Sequence, residues 1–307
     1  MRFLLASLFA FFLMGCNPPQ DDVVIVGNAW LGTMPIITLA AIDPQTRPAG
    51  LKTVMLVSDT SVLHMLGNGA VSGAILTLDN ALSVNTVTDG DYCLAMILDR
   101  SLGADAVLVK EGWSWQSDTT ISVGMEDSTL ARYMLSRWLE HEQIPASAVI
   151  PRILLPTQHI AAFTNGQTDA IVTYQPFVER LRSRGAKVIF DSSTENVAVL
   201  NVLIVRKAVW PRAEPRVQQL KTKLWPQALT RLRQRDEAFW QGLSELTELT
   251  TDGLELALEG IQFVDLADQE NAMQRLLAHD MPATSEYLIA SGVHESIVPL
   301  TPCGASQ

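Results

Sequence analysis

The sequence predicts an α/β protein with two domains, and three observations carry this prediction. Short apolar runs alternate along the chain with longer stretches of helical pattern, which is the order of elements in α/β folds. Residues 16–307 are too many for one typical compact unit and suit two domains of medium size. The hydrophobic share of 48% is ordinary for a globular protein.

The first part of the chain contains five predicted strands separated by helices. Pro44 stops the first helix, and the Ser-Asp-Thr group at 58–60 supplies a cap for the second. Thr77 and Asp79 mark the end of the third strand and the start of the next helix. The predicted strands cover 23–26, 53–57, 70–76, 93–98 and 106–110, and the predicted helices cover 34–42, 58–67 and 79–84.

A polar segment with tryptophans at 111–120 marks a change in composition, after which a second unit is predicted to begin. Asp127 and Ser128 cap a long helix, Asn-Gly at 165–166 ends another, and Pro176 suits a helix start because its missing N–H costs nothing there. The predicted extended segments are 149–154, 170–173, 187–190 and 201–206, and the predicted helices are 127–143, 157–165 and most of 208–279.

The N-terminal segment has the pattern of an export signal. An apolar run at 3–13 follows a positive start and leads to Gly15 and Cys16, and it is shorter than the roughly 20 residues that span a membrane. A cysteine after a small residue resembles the lipobox of bacterial lipoproteins. The resemblance implies a signal peptide at 1–15, lipidation of Cys16, a tether at 16–22 and an extracytoplasmic chain anchored to a membrane. An ordinary signal peptide or a buried N-terminal helix is the alternative.

Composition argues against several classes of function. The net charge of −11 disfavours a nucleic-acid partner, whose phosphates call for a basic face. The sequence has no zinc-like Cys/His spacing, no Gly-x-Ser-x-Gly elbow, no P-loop and no dinucleotide-binding glycine pattern. It therefore predicts no metal site, no cofactor and no catalytic residue, and the protein is not expected to be an enzyme.

Two cysteines follow Cys16. Cys93 lies in an apolar stretch typical of a core residue, whereas Cys303 lies in a polar tail at 301–307. A core thiol and a disulfide between Cys93 and Cys303, in an oxidising compartment, both remain open from the sequence.

Six segments stand in an order and spacing typical of a known family. They are GNAWLG at 27–32, GAILTLD at 73–79, DRSLGADA at 99–106, ISVG at 121–124 followed by Ser128, NGQTDAIVTYQP at 165–176 and KVIFDS at 187–192. Together they resemble the type II periplasmic substrate-binding proteins of ABC transporters, in the branch for nitrate, sulfonates, taurine and thiamine-pyrimidine precursors. The resemblance covers about 23–206.

The resemblance implies a two-lobed α/β fold of the periplasmic binding protein type II class, with a ligand cleft between the lobes. It places lobe 1 at 23–110 and in a helical return at 206–300, and lobe 2 at 111–205. The implied hinges lie near 110–111 and 202–206, and lobes of this kind close on a ligand by hinge motion.

The implied function is an extracytoplasmic lipoprotein that captures a small solute and delivers it to an ABC permease in the inner membrane. A ligand-sensing periplasmic subunit that docks on a membrane receptor is the alternative. An exported enzyme is the third reading, and it is disfavoured because a related enzymatic branch uses a Cys-rich motif that this sequence lacks.

The strand ends of an open α/β sheet face the ligand crevice, and this selects candidate ligand-binding residues. Trp30 can stack on a ligand or pack between loops, Asp79 can bind an amine or cap a helix, and Ser128 can mark an anion site or an ordinary N-cap. Asp99 is favoured as a structural hydrogen-bond acceptor. The full predicted set is Asn28, Trp30, Thr77, Asp79, Ser101, Ser128, Thr129 and Tyr174.

The same candidate residues also indicate the charge of the ligand. An anion would use the hydroxyl groups and the helix N-terminus, whereas a planar or cationic ligand would use the aromatic and acidic candidates. Arg100 and Arg132 are the basic side chains in these loops, and both can point away. The acidic and aromatic candidates together therefore favour a neutral or amine-bearing heterocycle over nitrate.

Overall fold

The computed structural model describes residues 22–117, 119–194 and 199–305. The predictions of a signal peptide, of lipidation at Cys16 and of a tether up to residue 21 lie outside these residues. Across the three described ranges, no helix is both long enough and apolar enough to span a membrane.

Strands and helices alternate through most of the described chain, as predicted. The strands are β1 (Val23–Gly27), β2 (Leu51–Met55), β3 (Gly73–Thr77), β4 (Tyr92–Ser101), β5 (Asp105–Lys110), β6 (Ile121–Met125), β7 (Val149–Ile153), β8 (Ala170–Tyr174), β9 (Ala186–Asp191), β10 (Val199–Arg206), β11 (Ile261–Phe263) and β12 (Thr301–Pro302). The α-helices are α1 (Met34–Ile42), α2 (Asp59–Gly67), α3 (Leu78–Val87), α4 (Thr129–His141), α5 (Pro156–Thr164), α6 (Phe177–Arg182), α7 (Trp210–Gln219), α8 (Trp225–Arg233), α9 (Glu237–Thr247), α10 (Thr251–Glu259), α11 (Gln269–Arg275) and α12 (Met281–Ala290).

The first lobe is built on a seven-stranded sheet in the order β11-β4-β10-β3-β1-β2, with β12 beside β4. β1 runs parallel to β2 and β3, and β10 runs antiparallel to β3 and β4. The inner strands are buried on both faces, which explains why they appear in the sequence as continuous apolar runs.

The second lobe is built on a five-stranded sheet in the order β7-β6-β8-β5-β9. β6 runs parallel to β7 and β8, whereas β5 runs antiparallel to β8 and β9. The segment that follows β5 stays in this lobe, where Trp113 packs on Trp138 with ring centroids 5.9 Å apart.

The predicted lobe boundaries are wrong at both crossings. Strand β5 was assigned to lobe 1, but its pairing with β8 and β9 places 105–110 in the second lobe. Strand β10 was assigned largely to lobe 2, but its pairing with β3 and β4 places 199–205 in the first lobe. The crossings therefore run from β4 to β5 and from β9 to β10, not near 110–111 and 202–206. The composition change at 111–120 marks a connection inside the second lobe.

The C-terminal helices return to the first lobe, as the resemblance implied. Helices α8 and α9 pack against α1, and Trp225 and Phe239 are fully buried in the core that this packing forms. Trp225 Nε1 donates a hydrogen bond to the backbone oxygen of Val264 at 2.8 Å. A buried indole with a satisfied N–H anchors the helical return to the sheet.

Residues 301–303 join the first sheet beside β4. Cys93 on β4 and Cys303 form a disulfide, with their Cα atoms 4.9 Å apart. The backbone N–H of Cys303 also donates to the oxygen of Leu94 at 2.9 Å. The structure therefore selects the disulfide over the unpaired core thiol.

Candidate functional site

Strand ends from both lobes meet in the cleft. In the first lobe β1 ends before Asn28 and β3 ends at Thr77, whereas in the second lobe β6 ends before Glu126 and β8 ends at Tyr174. Because parallel strands expose their carboxyl ends at one edge of a sheet, both lobes direct loop side chains at the same crevice.

A small cavity of about 20 Å³ lies in this cleft, which is room for about one water molecule. Asp59 is the first-lobe side chain on its wall, and the second lobe supplies the others. The polar side chains on the wall are Asp59, Asp105, Glu126, Ser128, His159, Thr173 and Tyr174. We call this space the cleft cavity.

Two asparagines hold Asp59 in place. Asn28 Nδ2 donates to Asp59 Oδ1 at 2.8 Å, and Asn80 Nδ2 donates to Asp59 Oδ2 at 3.2 Å. Asn80 Nδ2 also lies 3.1 Å from the hydroxyl of Thr77. The predicted residues Asn28 and Thr77 therefore act on the cavity through a carboxylate that the sequence analysis did not single out.

Trp30 and Asp99 form a buried pair beside the cavity. Trp30 Nε1 lies 3.2 Å and 3.1 Å from the two carboxylate oxygens of Asp99, and Asn201 Nδ2 donates to Asp99 Oδ1 at 2.8 Å. The prediction of Asp99 as a structural acceptor is confirmed. Trp30 faces Tyr174 edge-on at 6.1 Å between ring centroids. The hydrogen bonds between Trp30 and Asp99 therefore fix the indole that packs against Tyr174 beside the cavity.

Gly32 lies against this pair. A Cβ atom at Gly32 would be 2.8 Å from Cγ of Asp99 and in closer conflict with Trp30. We expect Gly32→Ala to lower the free energy of unfolding by about 1–3 kcal/mol, because the buried pair must shift. Chemical denaturation measures this. Gly67→Ala is the matched control, since a Cβ at Gly67 meets nothing within 4 Å. An equal effect of both substitutions would contradict the prediction.

Glu126 joins the lobes across the mouth of the cleft. Its Oε1 accepts a hydrogen bond from the backbone N–H of Thr60 at 3.1 Å, so a second-lobe carboxylate binds the N-terminal turn of a first-lobe helix. The Thr60 hydroxyl also lies 3.3 Å from the backbone oxygen of Asp127. These contacts give the lobes a closed arrangement.

The start of α4 contains two predicted residues. Ser128 Oγ accepts from the N–H of Ala131 at 3.2 Å, so its reading as an N-cap is confirmed, and its side chain also lines the cleft cavity. Thr129 is the half-buried first residue of α4.

Ser101 lies at the hinge. Its hydroxyl is 2.8 Å from the hydroxyl of Ser192, and it accepts from the N–H of Asp105 at 3.1 Å. The N–H of Gly103 donates to Ser192 Oγ at 2.8 Å. The structure thus places Ser101 where the two crossings between the lobes touch each other.

Several acidic side chains of the cleft have pKa values above their usual range. Burial is the largest cause for each, and it raises the pKa of Asp105 to about 7. The pKa of Asp59 is raised by burial and by repulsion from Glu126, Asp79 and Asp105. Burial likewise raises the pKa of Asp79 and of Glu126, because a desolvated environment disfavours the charged form of a carboxyl group.

The basic side chains near the site pair with acids outside the cavity. Arg132 forms an ion pair with Asp127, and Arg100 forms one with Asp280 at 3.2 Å. His159 lies on the cavity wall with Nδ1 at 3.0 Å from Thr173 Oγ1, and burial lowers the pKa of its imidazole to about 4. Within the described residues, no lysine or arginine lines the cavity.

Sequence reasoning identified part of this site and missed its acidic side chains. Ser128 and Tyr174 line the cavity, whereas Asp59, Asp105 and Glu126 were not predicted. Glu126 directly follows the end of β6, so the strand-end rule applied to every strand would have found it. Asp59 is the first residue of α2 and Asp105 is the first residue of β5, so that rule does not select them. Asp79 lies in the first turn of α3, and its Oδ2 atom is buried without a hydrogen-bond partner.

No family model matches the sequence, and a search of curated proteins finds no significant match. Solved structures do share its fold. The alkanesulfonate-binding protein SsuA from Xanthomonas axonopodis pv. citri, bound to MOPS, is 17% identical with a TM-score of 0.69, and the match covers 88% of this chain and 93% of that chain. The ligand-binding component of an ABC-type import system from Staphylococcus aureus, with zinc bound, is 12% identical with a TM-score of 0.71 over 91% and 94% of the chains.

An enzyme shares the fold as well. The desulfurization enzyme DSZB is 14% identical with a TM-score of 0.62, and the match covers 91% of this chain and 95% of that chain. At identities this low, such likenesses establish the fold and not the activity. The chain therefore has the predicted two-lobed fold of periplasmic binding proteins, a fold that both binding proteins and an enzyme use.

Proposed function

We propose that this chain is an extracytoplasmic solute-binding lipoprotein that captures a small solute between its lobes and delivers it to an ABC importer. The observation that carries the proposal is the small cavity with acidic side chains from both lobes on its wall, between two lobes that are joined by two crossings. Ligand sites in open α/β sheets lie at such strand ends. The proposal contains no catalytic step.

Two contacts between the lobes, one at the hinge and one across the mouth of the cleft, support capture of a solute by movement of the lobes. The two crossings touch at Ser101 and Ser192, and the lobes meet again at the contact of Thr60 with Glu126. A few residues at element ends can absorb such a rotation while each sheet stays rigid. A solute that touches both lobes would therefore stabilise the closed arrangement.

The disulfide supports an extracytoplasmic location. Disulfides persist in oxidising compartments such as the bacterial periplasm and are rare in the cytosol, and Cys93 and Cys303 are joined here. An exported protein also agrees with the signal-like N-terminal segment at 1–15.

The experiment is a thermal-shift screen of the protein produced from the full-length sequence. The panel contains alkanesulfonates, nitrate, amino acids, polyamines and pyrimidines. A solute that binds only the folded state adds about 2.7 kcal/mol at one hundred times its dissociation constant, so a binder raises the midpoint clearly. No shift with any class, for protein that unfolds cooperatively, would overturn solute capture.

Anchoring has a separate test. We expect Cys16→Ala to move the protein from the membrane fraction to the soluble exported fraction, because acyl chains on Cys16 would hold it at the membrane. Cell fractionation and immunoblotting measure the distribution. Gln20→Ala, four residues further along, should stay with the membranes. Membrane retention of the Cys16→Ala protein would contradict lipidation at this residue.

A further inference from the structure

Four polar groups on the wall of the cleft cavity are unpaired. Asp105 Oδ2, Glu126 Oε2, His159 Nε2 and the Tyr174 hydroxyl are buried without a hydrogen-bond partner, and each of their residues is at most 7% exposed. Buried polar atoms in folded proteins almost always have a partner. Unpaired groups that gather at one cavity between two lobes therefore mark positions where a bound molecule supplies the partners.

Two of the four unpaired atoms are carboxylate oxygens, Asp105 Oδ2 and Glu126 Oε2. A carboxylate oxygen accepts hydrogen bonds and cannot donate them while it is ionised. Asp59 adds a third carboxylate from the opposite lobe, and its neighbours Glu126, Asp79 and Asp105 repel it. Burying several like charges is costly unless a positive group compensates them.

We infer that the solute is an organic cation whose protonated amine or amidine donates hydrogen bonds to Asp59, Asp105 and Glu126. This inference rests on the proposed function, since it names the class of solute that the cleft would capture. It also departs from the sulfonate ligand named for one protein of the same fold.

Other ligand classes suit the cavity less well. A sulfonate or nitrate ion would meet carboxylates on both lobes, and like charges in a desolvated site repel strongly. The N-terminus of α4 is a poor substitute, because Ser128 already caps the N–H of Ala131. A metal ion needs several acidic or imidazole ligands grouped together, and the described His, Cys, Asp and Glu residues form no such group of three or more.

Two of the three carboxylates have distinct structural roles. Asp59 is oriented by the side-chain amides of Asn28 and Asn80. Glu126 uses one oxygen to bind Thr60 across the cleft and leaves the other for the solute. Binding at Glu126 is therefore coupled directly to the contact that closes the lobes. Tyr174 adds an aromatic surface on which a cation can rest.

The first test compares solute classes on the full chain. Putrescine and guanidinium represent cations, ethanesulfonate and nitrate represent anions, and Zn²⁺ represents metals. A rise in the thermal midpoint with a cation and with no anion supports the inference. A rise with only anions or Zn²⁺ overturns it but leaves solute capture intact. No rise with any probe overturns the proposed function as well, so the two failures are distinguishable.

The second test removes single charges from the cavity wall. We expect Asp105→Asn and Glu126→Gln each to weaken cation binding by about 10- to 100-fold, the usual effect of losing a charged hydrogen-bond partner. The Glu126→Gln variant keeps an oxygen acceptor for the N–H of Thr60, and the contact of position 105 with Ser101 uses the backbone N–H, so both contacts can persist in the two variants. Glu270→Gln removes the same charge from an exposed position on α11 and should leave affinity unchanged.

Proton release gives a readout that a purely structural role would not produce. The titratable groups on the cavity wall are Asp59, Asp105, Glu126, His159 and Tyr174. Asp79 does not line the cavity but raises the pKa of Asp59 by repulsion. A cation lowers the pKa of nearby carboxyl groups, so its binding near pH 6.5 should release protons, whereas an anion should take them up. Calorimetry in two buffers of different ionisation enthalpy measures the sign. Proton uptake on binding, or undiminished cation affinity in both variants, would overturn the inference.

Discussion

Replacing Cys303 by serine is expected to lower the free energy of unfolding by about 2–5 kcal/mol, the usual cost of losing a native disulfide. The bond links Cys93 and Cys303 across a sequence separation of 210 residues. A cross-link over so long a loop strongly restricts the unfolded chain, so its removal mainly favours the unfolded state.

The other contacts of the chain end should survive this substitution. Asn85 Nδ2 donates to the backbone oxygens of Val298 and Pro299 at 3.0 Å and 3.1 Å. Asn85 is fully buried, and its Oδ1 accepts from the N–H of Tyr92 at 3.0 Å. The variant should therefore fold to the same structure with reduced stability.

Urea denaturation with and without a reductant tests this prediction. Reductant should lower the midpoint of the wild-type protein and leave that of Cys303→Ser unchanged. Mass spectrometry of unreduced peptides should find the segments around Cys93 and Cys303 linked. Equal stability of the wild type and the variant under oxidising conditions would show that the bond contributes nothing to folding.

The order of secondary structure could be predicted from the sequence because local patterns determine it. Buried strands such as β1 and β3 are short apolar runs, and α4 begins at a serine that caps its N-terminus. The lobe boundaries could not be predicted the same way. Strands β5 and β10 are apolar on either side of a crossing, and only their pairing partners show to which sheet each belongs.

The site was predictable in position but not in composition. Strand ends located Tyr174 and Ser128 correctly at the cavity. Asp59 appeared as one of three capping candidates at 58–60, yet Ser58 is the residue that caps α2, which leaves Asp59 free to face the cleft. Whether a polar residue at a helix start turns inward depends on its neighbours in space, and Asn28 and Asn80 orient Asp59 from two other loops.

The stability of the ligand-free protein is expected to fall as pH rises from about 5 to 7.5. Burial raises the pKa of both Asp99 and Asp105 from 3.8 to about 7. Between these limits the folded protein retains protons that the unfolded chain has released. Each group therefore lowers the free energy of unfolding by about 1.4 kcal/mol per pH unit, and the loss is complete above pH 7.

One buried group acts in the opposite direction. Burial lowers the pKa of His159 from 6.5 to about 4, so the unfolded chain binds a proton there that the folded protein does not. Its contribution to stability rises with pH over that range. Up to pH 6.5 the contribution of His159 offsets the loss of stability caused by one of the two aspartates. The raised pKa values of Asp59, Asp79 and Glu126 add to the fall in the free energy of unfolding with pH.

The Asp105→Asn variant isolates the contribution of this one carboxyl group to the pH dependence of stability. The variant should be more stable than the wild type at pH 7.5, with a pH slope shallower by about 1.4 kcal/mol per unit, and Glu270→Gln should keep the wild-type slope. Urea titrations at four pH values measure this. If the slope of Asp105→Asn matched the wild type, Asp105 would be ionised in the folded protein throughout. A gain in stability with a loss of cation affinity would show that this carboxylate is retained for binding at the expense of folding, as is common for functional sites.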